Sequence, residues 1–264
     1  MSIDNLKLKI LDISKHMNLG ERESHDKSYK LFIEHTYETL VTSWHLVHGR
    51  NFDNQIYLRE NTAYPNSNFE ASQVDSKTYK RIVDAVTYYL NMVKNADPFT
   101  DFLSVLHEEI LLTGRRGEKV GQFMTPPDVS MVLTKLLWAK KDIRSINEIK
   151  TIHEPCCGTG SMILAPLARI AKVDSSKIGL MNIIINDLDA LMCKVSTVQI
   201  LSSVLMHGYK FNALLVHNCN LITEWGNENT LMLGIDWQSK PITGLFSALD
   251  KIREKVDLPN KVTV

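Results

Sequence analysis

Cysteine is scarce, with four residues in a chain of 264. Cys156 and Cys157 are adjacent, and with Cys193 and Cys219 they form no Cys-x-x-Cys pair. That excludes a zinc ribbon and a disulfide framework, and it fits a reducing compartment. A surplus of charge is also missing, since 30 basic residues balance 30 acidic ones. No global field favours a polyanion, so contact with nucleic acid needs a local basic patch or a partner. No uninterrupted apolar run is long enough to span a bilayer. The N-terminal MSIDNLKLKILDISKHM mixes charge into its apolar residues, unlike a signal peptide. The expectation is a cytoplasmic protein without membrane contact.

What is present suits a globular chain. Hydrophobic residues make up 44% and charged residues 23%, and the length allows one large domain or two smaller ones. Residues 3–17 and 26–48 space their apolar side chains at helical intervals. His35, His45 and His48 on the second helix have no matching carboxylate or cysteine spacing, so no metal is expected there. Residues 58–77 are polar and proline-broken, which predicts a long loop. Helices are predicted over 79–94 and 101–112, with a soft boundary at 95–101. The expected division is an N-terminal helical domain, 1–97, and a second domain, 98–264. Arg115–Lys119 is a small basic loop, too small for a DNA footprint by itself.

After residue 120 the pattern changes. Thr125 suits a helix N-cap, with Pro126 at the first helical position and Asp128 three residues past the cap. A strand at about 149–153, a helix at 160–172, an apolar β-branched run at 179–186, a long helix to His207 and strands at 211–218 and 230–237 follow. Strands alternating with helices predict an α/β domain with a mostly parallel sheet.

The stretch EPCCGTGSM, 154–162, sits where the first of these strands enters a helix. Ligands bind at such carboxyl ends, and Gly158 and Gly160 allow one to lie close to the backbone. No Gly-Lys-Ser/Thr follows, so this is not a P-loop, and the third glycine of a dinucleotide fingerprint is missing. Alone, the stretch reads equally well as a tight turn. Asp187 ends the next strand and suits hydrogen bonds from a ribose hydroxyl pair, while Asp187 or Asp189 also suits the cap of the following helix. Cys156-Cys157 has no histidine–carboxylate arrangement at suggestive spacing and reads as core filling.

Together with GQFMTPPDVSMVL, 121–133, these elements resemble one family. That segment is similar to the Gly-Gln-Phe-Tyr-Thr-Pro segment of N6-adenine DNA methyltransferases, as in the modification subunits of type I restriction systems. HEPCCGTGSMI resembles their S-adenosylmethionine loop, and NDLDALMCKVSTVQILSSVLMHG resembles their acidic strand end and following helix. DFLSVLHEEIL resembles the helix before the first motif. The resemblance spans about 98–222. It implies a class I S-adenosylmethionine-dependent methyltransferase sheet of Rossmann-like type, here truncated, behind an N-terminal α-helical domain. By position, Phe123, Thr125 and Pro126 would line the methionine side of S-adenosylmethionine. Glu154, Cys157, Gly158 and Gly160 would surround its amino-acid part, with Glu154 where the family usually has aspartate. Asp187 would hold the ribose, Leu188 would pack on the adenine and Asn218 would lie near it.

One part of the family pattern is missing. These enzymes carry an Asn-Pro-Pro-Tyr/Phe loop after the fourth strand. The exocyclic amine of adenine is a poor nucleophile, and the loop accepts its protons and orients its lone pair, while the aromatic ring stacks on the flipped base. Here Ser239-Lys240-Pro241-Ile242 is either a degenerate form of that loop or an unrelated turn. Lysine is donor-only and cannot accept amine protons. No catalytic residue is therefore identified, and no metal ligands. The leading expectation is a methyltransferase-like protein that binds S-adenosylmethionine and is degenerate or dependent on a partner. The alternatives are an active adenine-N6 DNA methyltransferase of a restriction–modification or mobile-element system, and a purely structural subunit with an empty pocket. Partners implied are DNA, through or with a protein subunit, and a homo- or hetero-oligomer.

Overall fold

The structure, a computed structural model, describes residues 1–48, 55–58, 74–111, 125–225 and 227–236. Helix α1 (Ile3–Asp12) is capped by the Ser2 hydroxyl, which accepts the Asn5 N–H at 3.3 Å. It stops short of the expected residue 17, because Ser14 turns its hydroxyl onto the Ser24 carbonyl and Ser28 of the next helix, at 2.7 and 2.8 Å. Helix α2 (Glu21–His48) is longer than its periodic stripe predicts. Strand β1 (Gln55–Leu58) precedes α3 (Ser76–Lys94), which Asp75 caps by accepting two backbone N–H groups. Helix α4 (Leu103–Leu111) follows.

Helix α5 (Pro127–Leu137) starts one residue later than expected, with Pro126 rather than Thr125 at the cap. A residue before proline is kept out of the helical region, so Pro126 stays extended and Pro127 opens the helix. After α6 (Lys140–Arg144) the chain enters the sheet: β2 (Lys150–Glu154), α7 (Ser161–Asp174), β3 (Met181–Asp187), α8 (Ala190–His207), β4 (Ala213–Asn218) and β5 (Leu231–Asp236). A 3-10 turn at Ser175–Leu180 delays β3 by two residues from its expected start.

The sheet order is β1-β5-β4-β3-β2. Strands β2, β3 and β4 are parallel, joined through α7 and α8. The expectation of a mostly parallel sheet holds for these three only, because β5 runs antiparallel to β4 and β1 antiparallel to β5. The reason lies in the connections. A parallel return needs a crossover of a dozen or more residues, usually a helix, and the described residues between Asn218 and Leu231 form turns and a 3-10 turn at Glu228–Thr230. Strand β1 was not expected at all.

Ile183, Ile185, Leu214, Val216, Leu233 and Ile235 face the helices and join one core with α1, α2, α3 and α4. Helix α8 buries 12 of its 18 residues. It is the one described helix long and apolar enough to cross a membrane by composition, and 67% of it is buried within the fold, as a core helix is.

Candidate cofactor site at the ends of strands β2 and β3

The carboxyl ends of β2 and β3 lie side by side, with Glu154 in register with Ile185. The chain leaves β2 at Glu154 and turns through Pro155–Gly160 into α7. The turn is fixed from three directions. The Cys157 N–H donates to the Asn186 carbonyl at 2.8 Å, which ties the loop to β3. The Gly158 N–H donates to Asp187 Oδ2 at 2.9 Å. The Ser196 hydroxyl of α8 donates to the Gly158 carbonyl, also at 2.9 Å.

Both glycines are required by the backbone. Gly158 has φ of 49° and Gly160 φ of 107°, where other residues are strained. A Cβ on Gly160 would also come within 3.0 Å of Ser196 Oγ. Gly160 therefore serves close packing of α8 as well as the turn.

Two carboxylates converge on this turn. The Cys156 N–H donates to Glu154 Oε1 at 3.2 Å. Burial, and then the neighbouring Asp187 charge, push the Glu154 carboxyl above its usual range, and the Cys156 hydrogen bond opposes them. Asp187 uses Oδ2 on Gly158 and Oδ1 on the Asp189 N–H at 2.9 Å. Asp189 takes the separate job of capping α8, accepting the Leu191 N–H at 2.8 Å. The two acids thus divide the roles between them. Asn218, at the end of β4, donates its amide to the carbonyls of Asp187 and Leu188 at 3.0 Å each. Leu188 projects outward, 73% exposed.

Cys157 is buried and joins the core, and its N–H and carbonyl are both used within the turn, on the Asn186 carbonyl and the Gly160 N–H at 2.8 Å each. The exposed thiol is Cys156. Pro126 stands at the start of α5, where the Ser130 hydroxyl lies 3.5 Å from its carbonyl and 3.3 Å from Met162 Sδ in the first turn of α7. Thr125 precedes it. Phe123 and Ser239–Ile242 lie outside the described residues.

A polar network under the loop was not anticipated. Asp101 Oδ2 accepts the Ser161 hydroxyl at 2.5 Å and the Ser104 hydroxyl at 2.7 Å. Ser104 Oγ is 2.6 Å from Thr159 Oγ1. Gln199 of α8 donates to Asp101 Oδ1 at 2.8 Å and to the Thr159 carbonyl at 2.9 Å, and its Oε1 accepts the N–H groups of Phe102 and Leu103. The one local signal is Asp101 three residues before Ser104, whose N–H it accepts at 3.1 Å, a pattern of helix starts.

A family model described as N-6 DNA methylase matches residues 99–232, just over half the chain. The chain belongs to the N-6 DNA methylase family. The matched span of this N-6 DNA methylase starts beside Asp101 and ends within β5, so it takes in the glycine turn, both acidic strand ends and the supporting network. N6 DNA methyltransferases act on DNA and generally use S-adenosylmethionine. No curated protein matches the chain.

Proposed function

We propose that the chain is an N6-adenine DNA methyltransferase-like protein that binds S-adenosylmethionine at the ends of β2 and β3 and lacks an amine-orienting loop of its own. It would then be degenerate or dependent on a partner subunit for methyl transfer to DNA. The fold assignment that goes with this is a class I, Rossmann-like sheet, and the setting is cytoplasmic. The observation that carries the reading is the pair Glu154 and Asp187 on the two sides of one glycine turn, their hydrogen-bond partners among the described residues being backbone N–H groups.

That donor set fits the cofactor. S-adenosylmethionine, when bound, supplies a methyl group on a cationic sulfonium. Two adjacent carboxylates in a half-buried site favour a cationic ligand, which would relieve the strain that raises Glu154. Glu154 with Gly158 and Gly160 suits the ammonium and carboxylate ends, with Cys157 in the same turn. Asp187 keeps lone pairs for ribose hydroxyls beyond those used on Gly158 and Asp189. Leu188 offers exposed apolar surface for the adenine face, beside Asn218. Phe123, Thr125 and Pro126 are proposed for the methionine side.

Calorimetry on the full chain tests the binding. Saturable heat with S-adenosylmethionine is expected, and none at high micromolar cofactor overturns the reading. Asp187→Ala should weaken affinity by roughly 1–3 kcal/mol, the scale for hydrogen bonds to a charged group. The unfolding midpoint measured alongside separates this from loosening of Gly158. Methyl transfer to adenine-containing DNA, assayed on the isolated chain, should be absent. Robust transfer would refute the degenerate reading.

A further inference from the structure

Asn186 stands one residue before Asp187 at the end of β3 and is buried. Side chains alternate along a strand, so the two leave β3 on opposite faces. The Asn186 amide spans three strand ends. Its Nδ2 donates to the Pro155 carbonyl just past β2 at 2.9 Å, and to the Cys219 carbonyl just past β4 at 3.3 Å. Its Oδ1 accepts the Cys219 thiol at 3.2 Å. The registered strand pairs stop at Glu154 with Ile185 and at Asp187 with Asn218. The amide therefore carries hydrogen bonding past the end of the ladder, to both neighbouring strands at once.

That task is specific to an amide. It takes two N–H donors and an acceptor on a short stem, and asparagine alone among side chains of this length has them. Ionised aspartate has the same shape and no donor, so both carbonyls would lose this partner in a largely buried setting.

The two sides of the clasp do different work in the proposed site. Pro155 opens the turn assigned to the amino-acid part of the ligand. It has no N–H, so its carbonyl is its one main-chain hydrogen-bonding group. Cys219 follows Asn218 on the adenine side. Asn218 has its own ties to the carbonyls of Asp187 and Leu188, which hold the adenosine side independently of the Asn186 amide.

We infer that Asn186 is a positioning residue for the cofactor. It fixes the Pro155–Gly160 turn relative to Asp187, so that one ligand reaches both halves of the site, and it makes no contact with the ligand itself. This role presupposes the cofactor site proposed above. Removing the amide frees the turn and leaves the adenosine half in place, so a ligand that uses both halves suffers more than one that uses the adenosine half alone.

Two ligands read that split on the full chain: S-adenosylmethionine by calorimetry, and methylthioadenosine, which lacks the amino-acid arm, by its displacement of S-adenosylmethionine. Asn186→Asp and Asn186→Ala should weaken S-adenosylmethionine by about tenfold, the equivalent of one lost hydrogen bond, and methylthioadenosine by less than about twofold. Alanine leaves room for water at the carbonyls, so it gives the result where aspartate unfolds the chain. Val204→Ala, buried near the far end of α8, controls for general loosening. It should lower the urea midpoint and keep the ratio of the two affinities at the parent value. Equal weakening of both ligands by the Asn186 variants, no weakening, or the same change of ratio in Val204→Ala would overturn the inference and leave the cofactor reading standing. A parent that binds S-adenosylmethionine but releases none of it to methylthioadenosine has no separate adenosine half, which also overturns the inference. A parent that gives no heat with S-adenosylmethionine overturns the cofactor reading and the role of Asn186 with it.

Discussion

Two buried imidazoles set the acid limit of the fold. His217 on β4 lies against Trp225, ring centres 4.9 Å apart, with Nδ1 3.1 Å from Thr230 Oγ1. Burial first, then the neighbouring His153, lower its pKa to about 4. His107 on α4 meets Tyr29 edge-on at 5.4 Å, and burial lowers its pKa to about 4 despite Asp189 and Asp26. For each, the folded chain holds fewer protons than the unfolded chain between pH 4 and the ordinary histidine value of 6.5. Stability from the neutral rings is complete above 6.5 and is lost as pH falls toward 4, on the order of 3 kcal/mol per ring. Glu38 works in the other direction. Burial and Glu34 raise it to about 7, against Lys194, so its contribution is complete below 4.5 and is lost as pH rises through 7. Glu38 is half-exposed and solvent screens it, so the two rings dominate. Urea midpoints should therefore fall as pH drops from neutral to 4, and His217→Gln should flatten that fall in part, since burial also lowers His107, His35 and His153. An unchanged slope in the variant would show that His217 is not one of the titrating groups.

The glycine turn is held by elements far apart in sequence, and Gln199 is where they join. Replacing it with leucine leaves the N–H groups of Phe102 and Leu103, the Thr159 carbonyl and Asp101 Oδ1 without this partner in a largely buried setting. Each such loss costs about 1–3 kcal/mol and the four are coupled, so Gln199→Leu should destabilise the fold by roughly 3 kcal/mol or more. Amide exchange should speed up at Leu103 and around residues 159–161 before it does in β3. Equal protection in variant and parent would remove Gln199 from the support of the turn. The same network shows what the sequence made legible. Strand β3 announces itself by an apolar β-branched run, the turn by its glycines, and the acidic strand end by its position after β3. Those signals are local. Asp101 and Gln199 are 98 residues apart, and no spacing or periodicity links them. Strand β1 has only four residues beside a polar stretch, too few for alternation to show, and the sheet edge recruits it. The direction of β5 depends on the missing crossover rather than on its own residues.

At the scale of the molecule, the division at 97/98 proposed from the sequence meets a continuous core. Helix α8 lies between the sheet and the pair α2–α3. Tyr89 of α3 hydrogen-bonds Ser202 at 3.0 Å, and Lys194 pairs with Glu34 of α2. Trp44 of α2 stacks on Phe211 at 4.8 Å, and β1 pairs with β5 from the other side of the division. A domain folds alone when it owns its core. Here the core runs from Leu6 to Ile235, and removing α1–α3 would strip the outer face of α8, including Ser202 and its apolar neighbours. The boundary is thus proposed as one of sequence organisation, with folding expected to need both parts. Residues 98–264 expressed without 1–97 should show no cooperative urea transition and should aggregate through the stripped helix. Mixing in residues 1–97 as a separate chain should restore a transition, because the lost contacts are non-covalent. A cooperative transition of 98–264 alone, at the midpoint of the full chain, would mean that the methylase part owns its core and that α1–α3 are an accessory layer.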